Sequence, residues 1–401
     1  MVEHAGLPYP PGVAEPPVPY RDPPPFSLDA AGHAWTFYPG GADRLRRLLD
    51  LIDTAQASVR MCFYIFADDA AGHAVLDALL AARRRGVEIG LLIDSFGSSK
   101  SPDELFAPLR EAGCKYCCFS PHWNVRYLVR NHQKIVVIDD RVALTGGFNV
   151  EQDYFAPPEA DGWNDIAVEV EGPVVADLAR WFDQVEAWTL QRNASWKRIR
   201  RLVRDWDPGT GKVRLLVGGP TRGLSPWARA VRADLIAGDR LDMVMAYFSP
   251  AARLLARIGR IARRGEARLL LAAKSDNGAT IGASRLLYGP LLKRGAKIWE
   301  FSPTKLHTKL IVIDDATYVG SANFDMRSLY INLELMVRIE DAALAERMRE
   351  FITQHLPASL PITPALHRKR LTVWNRLRWT LSWFLVSVVD YTVSRRTNLG
   401  L

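Results

Sequence analysis

The sequence predicts an α/β fold with two similar halves, each a mixed β-sheet flanked by helices, packed around one shared active site. The first observation is a repeated motif: residues 131–139 and 306–314 both read His-x-Lys, four further residues and Asp. A glycine turn that ends in Asn follows each copy, at residues 146–149 and 320–323. The second observation is that the same order of strands and helices precedes both copies, which is typical of a duplicated α/β unit.

The first half begins with apolar residues at helical spacing, which predict a helix that starts near Asp43. Short apolar runs predict strands over residues 59–66, 87–93 and 114–119. A second helix is expected to end at Gly86, because arginines in its last turn and a glycine beyond it suit a helix C-terminus.

The second half repeats this order with a strand over residues 241–248, a helix over 251–264 and a strand over 267–272. Phe-Ser-Pro at residues 119–121 recurs at 301–303, shortly before the second motif. More residues separate this tripeptide from the motif histidine in the first half, so an insertion is expected there.

Changes of composition divide the chain into segments. Prolines crowd the N-terminus, whereas tryptophan and arginine alternate both between the halves and near the C-terminus. The expected segments are a proline-rich disordered arm (1–30), a first half (31–190), a basic Trp/Arg connector (191–212), a second half (213–356) and a basic, Trp-rich membrane-interface tail (357–401).

Charge and cysteine content limit the possible partners. The chain has 52 Lys and Arg against 44 Asp and Glu, a net charge of +8 and a pI near 9.3. This excess suits nucleic acid, anionic lipid or a phosphorylated substrate, although solubility alone also explains it. The cysteines at 62, 114, 117 and 118 lack the partners of a zinc set and are expected to pack within a reduced protein. No leader and no membrane span is apparent.

The repeated motif carries groups suited to phosphodiester chemistry. Residues two apart on a strand point to the same side, so the His and Lys of each copy project together, and the following turn is expected to return Asn to them. Lysines would supply positive charge, and Asn and Ser neutral donors, to phosphate oxygens. With a pKa of about 6.5, one histidine can be the nucleophile and the other an acid. The catalytic candidates are His132, Lys134, Asn149, His307, Lys309, Ser321 and Asn323.

Other residues of the motif are expected to be structural. The Asp of each copy lies four residues along an alternating strand, at the far end where the hairpin turns. The first copy has Gly147 where the second has Ser321, so one hydroxyl donor is missing. No carboxylates with metal-ligand spacing lie nearby, and neither a metal nor another cofactor is expected. The structural set is Asp139, Asp314, Gly146, Gly147 and Gly320.

These tandem motifs resemble those of the phospholipase D superfamily, over roughly residues 35–356. The resemblance implies that His132 attacks phosphorus to form a phosphohistidine. It implies that His307 protonates the leaving alcohol and then deprotonates the incoming hydroxyl. It also implies that Asp165 and Glu334 orient the histidines.

Within the superfamily, the residues around the motifs are most similar to bacterial cardiolipin synthases. The resemblance rests on residues 146–154, 163–165, 171–173, 320–328 and 332–334. It implies transfer of a phosphatidyl group between two phosphatidylglycerol molecules, with release of glycerol. The alternatives are a hydrolytic phospholipase D, a nuclease of the same superfamily and a membrane-binding protein without activity.

The chain resembles the short type of cardiolipin synthase without N-terminal transmembrane helices, so its tail is expected to contact the membrane. Basic residues at 367–370 precede a Trp-rich apolar run at 379–389, as in interfacial anchors. The alternative is a C-terminal helix packed on the body. The expectation is a peripheral enzyme on the cytoplasmic face of the inner (cell) membrane, which binds phosphatidylglycerol and related anionic phospholipids and no nucleic acid. The expected membrane contacts are Trp374, Trp379, Trp383, Arg368, Lys369 and Arg370.

Overall fold

The computed structural model describes residues 20–120, 129–191 and 195–389. Within these ranges, two eight-stranded mixed sheets with helices on their faces form two similar halves, which confirms the predicted architecture. Most of the proline-rich arm and the insertion before the first motif lie outside the described residues.

The first sheet contains the strands β1 (Phe26–Ala30), β2 (His33–Tyr38), β3 (Ser58–Phe63), β4 (Glu88–Asp94), β5 (Lys115–Phe119), β6 (Ile135–Ile138), β7 (Val142–Gly146) and β8 (Ala167–Glu171). Their order is β1-β2-β8-β7-β6-β3-β4-β5. Strands β3, β4 and β5 are parallel, as strand–helix–strand units require, and the motif hairpin β6–β7 is antiparallel. Every residue of that hairpin's strands is buried, because strands lie on both sides and helices cover the sheet.

The second half contains β9 (Val213–Gly218), β10 (Arg240–Met245), β11 (Phe248–Ser249), β12 (Glu266–Ala272), β13 (Lys297–Phe301), β14 (Lys309–Ile313), β15 (Ala316–Gly320), β16 (Phe324–Asp325), β17 (Glu334–Glu340) and β18 (Ser359–Pro361). The second sheet has the order β18-β13-β12-β10-β14-β15-β17-β9, and β11 pairs with β16 apart from it. The second motif hairpin, β14–β15, therefore occupies the place that β6–β7 has in the first half.

The helices are α1 (Gly41–Thr54), α2 (Ala70–Arg84), α3 (Ala107–Glu111), α4 (Val174–Thr189), α5 (Trp196–Asp205), α6 (Pro226–Ala237), α7 (Ala252–Arg264), α8 (Gly278–Leu292), α9 (Met326–Tyr330), α10 (Ala342–His355), α11 (Pro364–Arg370) and α12 (Val373–Phe384). Asp69 and Asp341 begin α2 and α10 by accepting hydrogen bonds from backbone N–H groups of the first turn.

Helix α4 ties the halves together through the first motif. The indole of buried Trp181 donates to Gln133 Oε1 at 3.0 Å, and Gln133 Nε2 donates to the backbone carbonyl of Glu334 at 3.1 Å. Apolar side chains of both sheets and of α4 form one continuous cluster. The residue between the His and Lys of the first motif is thus bonded to the second half.

Two predicted segment boundaries are wrong. Residues 26–30 were assigned to a disordered arm, but they form β1, which pairs with β2 and extends the first sheet. The tail was expected to begin at residue 357, but residues 359–361 form β18, which pairs with β13 at the edge of the second sheet. Alternation of apolar residues in such short edge strands is too brief to reveal them.

The two motif aspartates hold the far ends of the hairpins. The Asp139 carboxylate accepts backbone N–H groups of residues 56–58 at 2.7–2.9 Å, and Asp314 accepts those of residues 239–240 at 2.9–3.2 Å. Both have positive φ, 54° and 47°, which aspartate tolerates better than most residues. Neither carboxylate reaches the site of the motif histidines; its contacts are those of a turn.

The tail folds back on the body, which confirms the alternative of a packed C-terminal helix. Helices α8 and α12 pack together and approach closely at Gly282, near the start of α8, where a Cβ would lie 2.6 Å from Ser382 Oγ, near the end of α12. The C-terminal end of α12 therefore lies beside the start of α8. In the described parts of the chain, no helix has the length and apolar character of a membrane span.

Candidate active site

The two motif histidines line one cavity of about 450 Å³ between the halves. Each is hydrogen-bonded to a carboxylate of the opposite half: His132 Nδ1 lies 3.1 Å from Glu334 Oε2, and His307 Nδ1 lies 2.7 Å from Asp165 Oδ2. The backbone N–H of each histidine also donates to the carbonyl of the residue before that carboxylate, at 2.9 and 2.7 Å. Because Nδ1 is engaged, Nε2 is the ring nitrogen that each histidine offers to a substrate.

Glu334 is held by two serine hydroxyls as well as by the histidine. Ser321 Oγ donates to Oε2 at 2.5 Å, and Ser328 Oγ donates to Oε1 at 2.8 Å. The expectation that Ser321 donates to a phosphate oxygen is wrong, because its side chain is fully buried and directed at this carboxylate. Ser321 instead fixes the group that orients His132.

Asp165 lies directly against the backbone of Gly147. A Cβ at residue 147 would lie 2.7 Å from both carboxylate oxygens. The space that a serine hydroxyl fills in the second half is therefore filled here by the carboxylate itself. Gly147 is not a missing hydroxyl donor, as expected from the sequence, but the position that gives Asp165 its room beside His307.

Arg44 supports the segment that carries Asp165, and sequence reasoning missed it. Its guanidinium is fully buried and donates to four backbone carbonyls, including those of Tyr154 at 2.7 Å and Trp163 at 3.1 Å. The available signal was spacing: Arg44 lies four residues before Leu48 on the buried face of α1.

The motif lysines lie beneath the cavity. Lys134 Nζ donates to the carbonyl of His132 at 2.7 Å, and Lys309 Nζ donates to the carbonyl of His307. Both are fully buried. Burial disfavours the charged form and lowers the pKa of Lys134 to about 7 and that of Lys309 to about 8. An anion in the cavity would reverse this shift.

The histidine rings respond to the same environment. Burial lowers the pKa of His132, and Glu334 opposes the shift. Burial and Lys309 lower the pKa of His307, against the attraction of Asp165. Although burial alone would raise it, His307, Lys309 and Arg44 lower the pKa of Asp165 to about 2. At neutral pH the empty cavity thus holds neutral rings beside an ionised Asp165.

The asparagines of both glycine turns also line the cavity. Asn149 Oδ1 accepts the backbone N–H of Ile65 at 3.2 Å, which leaves its amide nitrogen as the donor on the cavity side. Asn323 Oδ1 is buried and has no hydrogen-bond partner among the described residues. Across those residues, no three His, Cys, Asp or Glu side chains come together as metal ligands would.

Aromatic rings fix the planes of the histidines. Tyr64 lies edge-on to His132, with ring centroids 5.0 Å apart. Tyr154 and Trp163 stack on each other, and both lie edge-on to His307 at 5.0 and 5.1 Å. Tyr154 and Trp163 belong to the stretches that carry the family resemblance, but the sequence alone did not show that they touch the histidine.

Two of the expected membrane contacts are wrong. Trp379 is only 2% exposed and packs on α8. Its ring also stacks with the ring of His367 on α11. Arg370 donates to Glu300 at 3.0 Å in an ion pair with the body. Both residues lie on the inner side of the tail helices.

The other expected contacts lie on or near the outer surface. Trp374 is 70% exposed, and Arg368 and Lys369 are exposed at the end of α11. Trp383 is half-buried at the margin of α12. The sequence therefore predicted which residue types the tail contains, but not which of them face outward and which face the body.

A duplicated α/β fold with paired histidines at its centre is characteristic of the phospholipase D superfamily. In agreement, the family model described as "Cardiolipin synthase, PLD-like domain" matches residues 48–186 and 235–356. The structure is also similar to the crystal structure of a phosphatidylserine synthase from Haemophilus influenzae, with a TM-score of 0.68, 16% identity and coverage of 93% of this chain and 97% of that one. At this identity the likeness shows the fold alone.

Curated relatives agree with the family match. The chain is 31% identical over 343 residues to cardiolipin synthase B of Shigella flexneri, covering 83% of this chain and 82% of that protein. It is 32% identical over 325 residues to cardiolipin synthase B of Salmonella typhimurium, with 78% and 76% covered. It is 28% identical over 362 residues to the major cardiolipin synthase ClsA of Bacillus subtilis, with 87% and 74% covered. The chain therefore belongs to the cardiolipin synthase, phospholipase D-like family, and it is an enzyme of this kind.

The contact between Gly147 and Asp165 yields a prediction. Gly147→Ala places a Cβ against both carboxylate oxygens and displaces the group that holds His307, so turnover should fall about 10- to 100-fold with the fold intact. Activity on phospholipid vesicles and circular dichroism measure the two effects. Gly211→Ala is the matched control, because a Cβ there meets nothing closer than 3.6 Å. Equal activity of both variants would contradict the assignment.

Proposed function

We propose that this enzyme transfers a phosphatidyl group from one phosphatidylglycerol to another, releasing glycerol and forming cardiolipin through a phosphohistidine. The observation that carries the proposal is the pair of histidines in one cavity, each with Nδ1 bound to a carboxylate of the opposite half. One ring can then act on phosphorus while the other handles the proton of the alcohol.

His132 suits the nucleophile. Burial lowers the pKa of His132 and so favours the neutral ring. The carboxylate of Glu334 accepts hydrogen bonds from two serine hydroxyls in addition to the one from the ring. The Nε2 lone pair would attack phosphorus, forming an N–P bond as the bond from phosphorus to the glycerol oxygen breaks. Because Glu334 accepts hydrogen bonds from two serine hydroxyls as well as from the ring, the ring keeps Nδ1–H and acts as a neutral nucleophile.

His307 suits the acid and base. Its bond to Asp165 is the shorter of the two, and among the described residues no serine hydroxyl shares that carboxylate. Entry of an anionic phosphodiester adds negative charge and favours protonation of the ring. His307 Nε2–H would then protonate the leaving glycerol oxygen. It would next take the proton of the incoming hydroxyl, whose oxygen attacks phosphorus and releases His132.

The lysines and asparagines would hold the phosphate. Lys134 and Lys309 lie beneath the histidines, where their charge becomes most effective once a substrate anion excludes water. The amide nitrogens of Asn149 and Asn323 are the neutral donors on the wall. These groups stabilise negative charge as it builds on the phosphate oxygens.

The cavity rim favours a glycerol hydroxyl as the acceptor. Tyr247 donates to Asp276 Oδ1 at 2.6 Å, and Asp276 and Asn277 both line the opening. These oxygens can accept hydrogen bonds from a polyol head group. A hydrolytic phospholipase D, with water as the acceptor, remains the second candidate because the same two histidines serve it.

The reaction would take place at a membrane surface, and α12 supplies the contact. Its outer face carries apolar side chains that no described part of the body covers. Residues 351–389 contain no Asp or Glu, so no acidic residue within this segment balances the positive charge of its lysine and arginines. At 100° per residue, Arg376 and Arg378 lie on opposite flanks of the apolar stripe. The exposed stripe consists of Val373, Trp374, Leu377, Leu381, Phe384 and Leu385.

This composition suits the interface of an anionic bilayer, with apolar side chains inserted and arginines at the head groups. The C-terminal end of the stripe lies beside the start of α8, the helix whose N-cap residue Asn277 lines the cavity. We therefore place the opening close to the bilayer, on the cytoplasmic face of the cell membrane, where phosphatidylglycerol can enter. The buried face of α12 holds this arrangement against the body.

Product analysis tests the reaction. The purified chain, incubated with labelled phosphatidylglycerol vesicles, should form cardiolipin and glycerol. His132→Ala and His307→Ala should each lower the rate by at least about 10²–10⁴-fold. His73→Ala is the control, because this histidine is exposed and its ring pairs with Asp68, outside the cavity lining. Phosphatidic acid as the only lipid product would replace the transferase by the hydrolase, and cleavage of DNA without lipid turnover would contradict both.

Vesicle sedimentation tests the role of α12. Leu381→Glu places a charge within the apolar stripe and should weaken binding to phosphatidylglycerol vesicles at least about tenfold, because a buried carboxylate is strongly disfavoured in the interface. Thr380→Glu adds the same charge beside the stripe and is the matched control. If the stripe mediates pairing of two copies, Leu381→Glu would instead convert a dimer to a monomer in light scattering without changing vesicle binding.

A further inference from the structure

A second group of cations surrounds a separate cavity of about 300 Å³, on α5 and the loop after β9. We name it the α5 cradle. None of the described residues that line it carries a carboxylate. Its lining residues are Lys197, Arg200, Arg201, Arg204, Thr221 and Arg222.

The buried face of α5 fixes the direction in which the cations point. Ile199 and Val203 are fully buried, and Val203 packs so tightly on Gly219 that a Cβ there would lie 2.7 Å from its Cγ2. Just beyond the helix, Trp206 Nε1 donates to the carbonyl of Leu215 at 2.8 Å. The lysine and arginines on the opposite face are therefore held together at the cavity.

The charges of the α5 cradle are poorly compensated. Its other three helical cations follow Lys197 at three, four and seven residues, so they share one face of the helix, where like charges destabilise it. Arg204 pairs with Asp205. Within the described ranges, Lys197, Arg200 and Arg201 have no carboxylate at ion-pair distance. Burial and the neighbouring arginines lower the pKa of Arg200, which is the effect of crowded like charges. A bound anion would relieve this repulsion.

The α5 cradle lies at the catalytic end of the second sheet. Gly218, the last residue of β9, pairs with Glu334, which holds His132. Thr221 follows three residues later, at most about 11 Å along the chain. Its hydroxyl donates to the carbonyl of Gly223 at 2.7 Å and so shapes the loop that carries Arg222.

We propose that the α5 cradle binds the phosphate group of an anionic phospholipid, beside and separate from the catalytic cavity. Arginines converging from two elements suit phosphate oxygens, because their planar N–H groups can donate in pairs. The cavity fits one head group, whereas a nucleic acid backbone needs an extended track of cations. The choice of lipid as the source of the phosphate rests on the proposed function; the affinity for a phosphate anion does not.

Local hydrogen exchange of the full-length chain tests the proposal, with His132→Ala present to prevent turnover. Phosphatidylcholine vesicles containing phosphatidylglycerol should protect the amides of α5 and residues 219–224, and vesicles of phosphatidylcholine alone should not. The double variant Arg200→Gln/Arg201→Gln should lose this protection and bind the anionic vesicles about tenfold more weakly. Arg253→Gln/Arg257→Gln on α7 removes the same charge from another basic helix and should retain both properties.

Several outcomes would overturn the proposal. Equal loss of protection in the two double variants would show a general charge effect and no site. Equal protection by inorganic phosphate at the same phosphate concentration would remove the lipid assignment, and protection by an oligonucleotide but not by lipid would replace it with nucleic acid. Failure of the proposed reaction would be a separate result. In that case the chain that retains His132 would form no cardiolipin, while anionic vesicles would still protect α5 from exchange.

Discussion

The rest of the site depends on the exchange of carboxylates between the halves. Glu334 of the second half holds His132 of the first, and Asp165 of the first holds His307 of the second. Neither half alone supplies both members of either of these two pairs. This explains why Gln133 and Trp181 bind the halves so closely at the first motif, since any shift between the sheets would break both pairs together.

The two pairs have the same connections but different environments, and the roles that we propose for the two histidines rest on that difference. Glu334 shares its charge with serine hydroxyls, while Asp165 lies against Gly147 without one. Beneath both pairs, buried Lys134 and Lys309 have lowered pKa values that an anion would raise again. An anionic phosphodiester in the cavity would favour the charged form of both lysines.

The sequence predicted the repeated motif, the two mixed sheets and the convergence of His132 with His307, because strand periodicity and duplication are local signals. It did not predict which carboxylate serves which histidine, because that depends on how the sheets pack. The role of Arg44 was not predicted, because three of the four backbone carbonyls that it binds are more than 100 residues away in the sequence. Only the folded structure brings them to this helix face. Trp379 was assigned to the membrane because composition cannot tell the inner face of α12 from the outer one.

Single-turnover kinetics with two leaving groups test the central claim most directly. From a phosphatidyl ester of p-nitrophenol, the nitrophenolate leaves without protonation. From phosphatidylglycerol, the glycerol oxygen must be protonated by an acid as it leaves. If Asp165 orients the acid His307 and Glu334 orients the nucleophile His132, the Asp165→Asn variant should form the phosphohistidine at His132 at nearly the normal rate with the nitrophenyl ester. With phosphatidylglycerol, the same variant should form it slowly. Glu334→Gln should label slowly from both substrates. Rescue of Glu334→Gln by the nitrophenyl ester, with Asp165→Asn slow on both, would contradict the account and reverse the two histidines.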